Sequence, residues 1–179
     1  MVFPLKSVED FGISLRREHE EFRLKVREFA EKYLAPRVEK IEESNEIPEE
    51  LFDRAAKEGF YGIGIPEEYG GRGADQLMLA IMVEELARVC PAFGMMLIVH
   101  HLFTIPILLH GSEEQKKTYI ESVAHGLKHA AHAVTEPGAG SDLAGIETRA
   151  RREGGEWVID GVKSFITGAE QADYIIRMV

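Results

Sequence analysis

Residues 112–142 read SEEQKKTYIESVAHGLKHAAHAVTEPGAGSD, and the chain changes character inside them. Ser112-Glu113-Glu114-Gln115 has the form of a capping box, and Gly126 suits the end of the helix it would start. Beyond residue 127 the period becomes that of a strand: His129 to Thr135 is a short apolar run closed by Pro137 and Gly138. The loop after it, Val134 to Asp142, gathers hydroxyls, glycines and backbone donors. Glycines allow a close main-chain approach, and successive N–H groups can cradle an anion, although a plain turn would use the same residues.

Upstream of this switch everything reads as helix. Phe22, Val26, Phe29, Tyr33, Leu34, Val38 and Ile41 recur every three or four residues and draw one apolar face on a long helix. Pro48 opens a short helix carrying Leu51, Phe52, Ala55 and Ala56, which Gly59 ends. A glycine-rich loop, Phe60 to Gly73, leads to Asp75, the cap of a helix over 76–89. Pro91 then opens an apolar run to Leu109 that rivals a membrane span in length. His100, His101, Thr104 and Pro106 interrupt it and no basic flank anchors it, so a helix buried on all sides is expected. Downstream, Ile146 to Arg151 and Glu156 to Ile159 flank Gly154-Gly155 as a hairpin, and a last strand covers Tyr174 to Met178. So few strands make a poor core, and the chain reads as part of a larger protein.

Composition narrows the function. The 179 residues carry 21 Lys+Arg against 31 Asp+Glu, a net charge of −10, which disfavours a nucleic-acid surface. A single cysteine, Cys90, excludes a disulfide framework and fits a reducing, cytoplasmic setting. The start, with Glu9 and Asp10, has no signal-peptide pattern. Gly138-x-Gly140 and Gly71-x-Gly73 lack the third glycine of a dinucleotide fingerprint, and no P-loop lysine follows either. His125, His129 and His132 do not converge by spacing, so no metal is expected.

The run Thr135 to Asp142, followed by Gly161-Val162-Lys163-Ser164-Phe165-Ile166-Thr167 and Ala172-Asp173, closely resembles the acyl-CoA dehydrogenase family. So do Pro66-Glu67-Glu68-Tyr69-Gly70-Gly71, Glu84-Glu85-Leu86-Ala87-Arg88, and Gly111 with Gln115-Lys116-Lys117 and Tyr119, all in family order. The resemblance implies an α+β chain. An N-terminal all-α helical bundle (1–127) is followed by the first strands of a β-barrel domain (128–179, incomplete), and the C-terminal helical domain is absent from this chain. It further implies FAD as cofactor, an acyl-CoA substrate desaturated between Cα and Cβ, an electron-transferring flavoprotein as electron acceptor, and a homo-oligomer, tetramer or dimer. On the same fold, an acyl-CoA oxidase, a flavin monooxygenase or a non-catalytic half-subunit are the alternatives.

By the same resemblance FAD is contacted by His132, Ala133, Val134, Thr135, Gly140 and Ser141 from one loop and by Phe165, Ile166 and Thr167 from another. Thr135 would meet the pyrimidine edge, Gly140 and Ser141 the pyrophosphate, and the Thr167 hydroxyl flavin N5. Ser141 would also lie near the pantetheine arm. The family usually has Trp where this chain has Phe165, and often Asn where it has Gly168. Gly94, Ile98 and Leu102, four residues apart, would line the acyl tail. The proton-abstracting carboxylate would come from the family's C-terminal part, or from a nearby helix in some branches. No catalytic residue is expected within this chain, and Glu136, before Pro137, reads as structural.

Overall fold

The computed structural model describes residues 15–179, so the reading of the stretch around Glu9 and Asp10 lies outside the described residues. The long amphipathic segment forms α1 (Arg17–Phe29), which continues through a π-turn (Ala30–Leu34) and a 3-10 turn (Ala35–Arg37) into α2 (Val38–Ser44). Pro36 has no N–H for the ladder, and the helix first widens and then tightens around it. Val26, Phe29, Leu34 and Ile41 all face inward. Helix α3 (Glu49–Glu58) starts after Pro48 and stops at Gly59, left-handed at φ 77°. In the glycine-rich loop the Arg72 N–H donates to the Gly62 carbonyl at 2.8 Å and the Gly73 N–H to the Ile65 carbonyl at 2.9 Å. The chain folds so tightly on itself that a Cβ at Gly71 would run into the Ile65 carbonyl.

Helix α4 (Gln76–Ala87) is capped by Asp75, whose carboxylate accepts from the Met78 N–H at 3.0 Å and lies 3.0 Å from His19 Nε2 of α1. Buried Glu85 of α4 takes both arms of the Arg27 guanidinium, at 2.7 and 2.9 Å, fixing α1 against α4. Helix α5 (Pro91–His110) lies across them, and its Phe93 stacks on Phe29 and Phe52 with ring centroids 6.2 and 5.3 Å apart.

The expectation that α5 is buried on all sides is corrected. Phe93, Leu97, His100, His101 and Thr104 are buried, whereas Met95, Leu102, Ile105 and Leu109 are exposed along the opposite side. Apolar residues spread evenly around this helix, so its sequence does not tell inside from outside.

The capping box then forms: the Gln115 N–H donates to Ser112 Oγ at 3.2 Å, and the Ser112 N–H to Gln115 Oε1 at 2.9 Å. It starts α6 (Glu113–Gln115), which passes through a π-turn (Lys116–Ile120) into α7 (Glu121–Ala124). Strand β1 (Ala130–Ala133) packs on α5 and pairs in parallel with β4 (Tyr174–Arg177). Between them β2 (Arg149–Glu153) and β3 (Glu156–Asp160) form the hairpin, with Gly154 and Gly155 at φ 57° and 94° as its two-residue turn. Strand β2 begins three residues later than the sequence suggests, because Leu143–Gly145 takes a 3-10 turn and Thr148 is drawn inward onto Glu136.

Candidate cofactor and substrate site

Strand β1 delivers the loop that follows it. Ala131 and Ala133 point inward and His132 is half-buried on the other face, where burial depresses its imidazole pKa. Glu136 and Ala139 close the loop on itself, the Glu136 N–H donating to the Ala139 carbonyl at 2.9 Å and the reverse bond measuring 3.1 Å. Beyond this turn Gly138 and Gly140 face open space: a Cβ at either would meet nothing within 4 Å. Gly140 and Ser141 are exposed, and among the described residues their N–H groups bond to no other protein group. Free donors along a glycine-containing loop are what an anion requires.

The second loop, 161–168, leaves β3 and returns beneath the first. Its Ser164 N–H donates to the Thr135 carbonyl at 2.9 Å, so the two loops lie side by side. Phe165 is 93% exposed and left-handed, with φ 57°. Such a backbone is unfavourable for an aromatic residue by about 1–2 kcal/mol, so its neighbours hold it there and present its ring to the outside. Thr167 opens onto a recess of about 250 Å³ shared with Ile41, Asn45, Ile47, Met95 and Met96. Gly168, at φ 73°, lies under Met96, whose methyl carbon is 3.0 Å from where a Cβ would stand. A side chain at 168 therefore needs Met96 to move aside.

Thr135, Gly140, Ser141, Phe165, Ile166 and Thr167 thus come from two joined loops. Gly94, Ile98 and Leu102 do not join the Thr167 recess. Gly94 is committed to helix packing, where a Cβ would come 3.2 Å from that of Ala87; Ile98 is half-buried on the core; Leu102 belongs to the outward face of α5. Met95 and Met96 reach the recess instead. Their readable signal is the spacing Ala92, Met95, Met96 on one helix, which the uniform apolarity of α5 obscures.

Glu136 is buried at 7% exposure and its carboxylate is filled. It accepts from Lys163 Nζ at 2.8 Å, from the Glu147 N–H at 2.7 Å and the Thr148 N–H at 3.0 Å, and from the Thr148 hydroxyl. Lys163 first, then Thr148 and the Glu147 N–H, pull its pKa down to about 2. A carboxylate so stabilised has little affinity for a substrate proton. Elsewhere His129 lies 3.4 Å from His100 and 3.3 Å from Glu49, and among the described residues no three His, Cys, Asp or Glu side chains converge as metal ligands.

The architecture is that of an α+β chain, a helical bundle followed by two strand pairs with two loops joined side by side, and comparison with known proteins specifies its class. The family model for the acyl-CoA dehydrogenase N-terminal domain matches residues 16–127, and that for the acyl-CoA dehydrogenase middle domain matches residues 131–179. The chain belongs to the acyl-CoA dehydrogenase family. It is 41% identical over 160 residues to the 3-(aryl)acrylate reductase of Clostridium sporogenes, covering 89% of this chain and 42% of that one. It is 43% identical over 149 residues to the caffeyl-CoA reductase-Etf complex subunit CarC of Acetobacterium woodii, covering 82% and 39%. The crystal structure of acyl-CoA dehydrogenase from Geobacillus kaustophilus superimposes with a TM-score of 0.85 at 36% identity, over 91% of this chain and 43% of that one. The chain thus spans about two fifths of the length of these relatives.

Proposed function

We propose that this segment forms the flavin-facing wall, and part of the acyl pocket, of an enzyme that oxidises an acyl-CoA thioester to its 2-enoyl-CoA. The joining of the two loops at Ser164 and Thr135, with Phe165 held open beside them, carries the reading. The chain fits FAD at these loops. The free N–H groups of Gly140 and Ser141, with the exposed Ser141 hydroxyl, suit a pyrophosphate, the exposed Phe165 ring suits a flat aromatic face, and Thr135 and Thr167 supply polar groups at its edge. His132, Ala133, Val134 and Ile166 complete the contact. FAD bound there supplies the hydride acceptor for C–H cleavage at Cβ.

The recess at Thr167, lined by Ile41, Ile47, Met95 and Met96 together with Glu42 and Asn45, and the outward face of α5, from Met95 to Leu102, hold the acyl chain. Ser141, exposed at the loop's end, serves the pantetheine arm. Removal of the α-proton needs a base within about 3 Å. Glu136 is already bonded to Lys163, Glu147 and Thr148 and is not assigned this role; the resemblance to the family implies a base from its C-terminal part, or from a nearby helix in some branches. CarC is named as part of an Etf complex, which supports an electron-transferring flavoprotein as partner. Two relatives are named reductases, and the same groups serve the reverse transfer, so the test below assays both directions.

The test uses the full-length protein. It should purify with bound FAD, and Ser141→Ala should weaken the flavin at least roughly tenfold, the worth of a charge-assisted hydrogen bond. With an electron-transferring flavoprotein it should interconvert acyl-CoA and 2-enoyl-CoA. A colourless protein, or one inactive in both directions, overturns the proposal.

A further inference from the structure

Lys163 lies at 10% side-chain exposure, with its ammonium shared between the Glu136 carboxylate and the Val134 carbonyl, each at 2.8 Å. It belongs to the second loop, and both of its acceptors belong to the first. One residue further on, the Ser164 N–H bonds the Thr135 carbonyl, between those two acceptors in sequence. The carboxylate in turn holds the Glu147 and Thr148 N–H groups, which lead into β2. Three segments distant in sequence therefore meet on one carboxylate and one ammonium. Taking such a pair out of water is costly, and an apolar pair of similar volume would hold the segments together as firmly. What the ion pair adds is direction: Oε1 accepts from Lys163 Nζ and from the N–H and hydroxyl of Thr148, and Oε2 from the Glu147 N–H, so the loops cannot slide past each other without breaking several bonds at once. It also adds balance, because the two charges cancel beside the face that Phe165 and Thr135 present.

We propose that Lys163 is a positioning residue, which with Glu136 locks the two loops in register and keeps the field at the bound flavin free of net local charge. The proposal rests on the flavin reading given above. Removing either partner unlocks the loops alike, but the charges left behind are opposite. Lys163→Met leaves a carboxylate and disfavours the more negatively charged reduced flavin, whereas Glu136→Gln leaves an ammonium and favours it.

The experiment measures flavin affinity and reduction potential in the full-length holoenzyme. Both single variants should bind FAD roughly ten- to a hundredfold more weakly. The potential should fall in Lys163→Met and rise in Glu136→Gln. The neutral double variant should return toward the parent potential while its affinity stays low, and Lys163→Arg should restore both. Shifts of the same sign, or unchanged potentials, overturn the proposal and leave the pair as structural support. If one single variant retains no flavin, the other decides: a potential displaced in its predicted direction supports the lock, and an unchanged or oppositely displaced one overturns it, as does complete loss of flavin from both. A parent protein without flavin refutes the underlying reading instead, and the two failures are distinct.

Discussion

Two phenylalanines show how differently the halves of this chain are built. Phe93, in the first turn of α5, is fully buried and stacked between Phe29 and Phe52, and the bundle around it carries the core. Phe165, on the loop before β4, is 93% exposed in a backbone conformation that aromatic residues avoid. In 128–179 the buried positions are Ala130, Ala131, Ala133, Glu136, Ala139 and Thr148, mostly small or polar, and the strands pair only in twos. The first region is held by apolar packing and the second by directed hydrogen bonds around Glu136. The contrast teaches that within residues 128–179 the segments are ordered by hydrogen bonds centred on Glu136 rather than by apolar burial.

The strongest test of that contrast exchanges each phenylalanine for alanine. Phe93→Ala should cost about 3–5 kcal/mol through the cavity it leaves. Phe165→Ala should change stability by no more than about 0.5 kcal/mol while weakening flavin binding. Denaturant unfolding of the full-length protein, followed by circular dichroism, reads the first effect, and flavin titration reads the second. Comparable stability losses at both sites would erase the distinction.

Acid should separate the regions next. Burial depresses the His100 pKa from 6.5 to about 4, and the ring faces His129, Tyr61 and its helix neighbour His101. A folded-state value below the unfolded one means that the unfolded chain takes the proton first. Stability present above pH 6.5 is then lost as the pH falls toward 4, by roughly 3 kcal/mol. His100→Leu should flatten that part of the stability–pH curve relative to the parent. Glu136 acts lower, because its stabilisation holds above the ordinary value of 4.5 and disappears as the pH falls toward 2. Glu136→Gln should flatten only this lower window; coincident windows would contradict the separation.

Smaller effects sharpen the comparison between helix packing and turn geometry. Gly94→Ala gains helix propensity but places a methyl 3.2 Å from the Ala87 methyl and 3.3 Å from its backbone nitrogen. Backbone does not yield, so a net loss of about 1 kcal/mol is expected in thermal or denaturant unfolding. Gly154→Asn in the hairpin turn should change stability by no more than about 0.5 kcal/mol, since asparagine tolerates φ 57° and nothing lies near.

Local features were legible in the sequence. Asp75 and Ser112 cap their helices, Gly59 and Gly126 stop theirs, and Gly154-Gly155 turns the hairpin, each through contacts within a few residues. The motif order from Pro66 to Asp173 carried the family. Other features were not legible. The placement of Met96 over Gly168 joins residues 72 positions apart, and nothing in a uniformly apolar helix marks which side will carry it. Lys163 stood in a quoted motif, yet its role depends on where Glu136 points.

By itself the sequence determined the helical first part and the switch to strands near residue 127, because periodicity, caps and turns act over three or four residues, and its motifs marked the family. Only the tertiary structure decided that α5 turns Met95 and Leu102 outward, that Gly94 packs on Ala87 while Met96 lies over Gly168, and that Glu136 is spent on Lys163 and Thr148. Those bonds span 27 and 12 residues. Contacts of that range depend on how whole elements pack, and no local pattern encodes them.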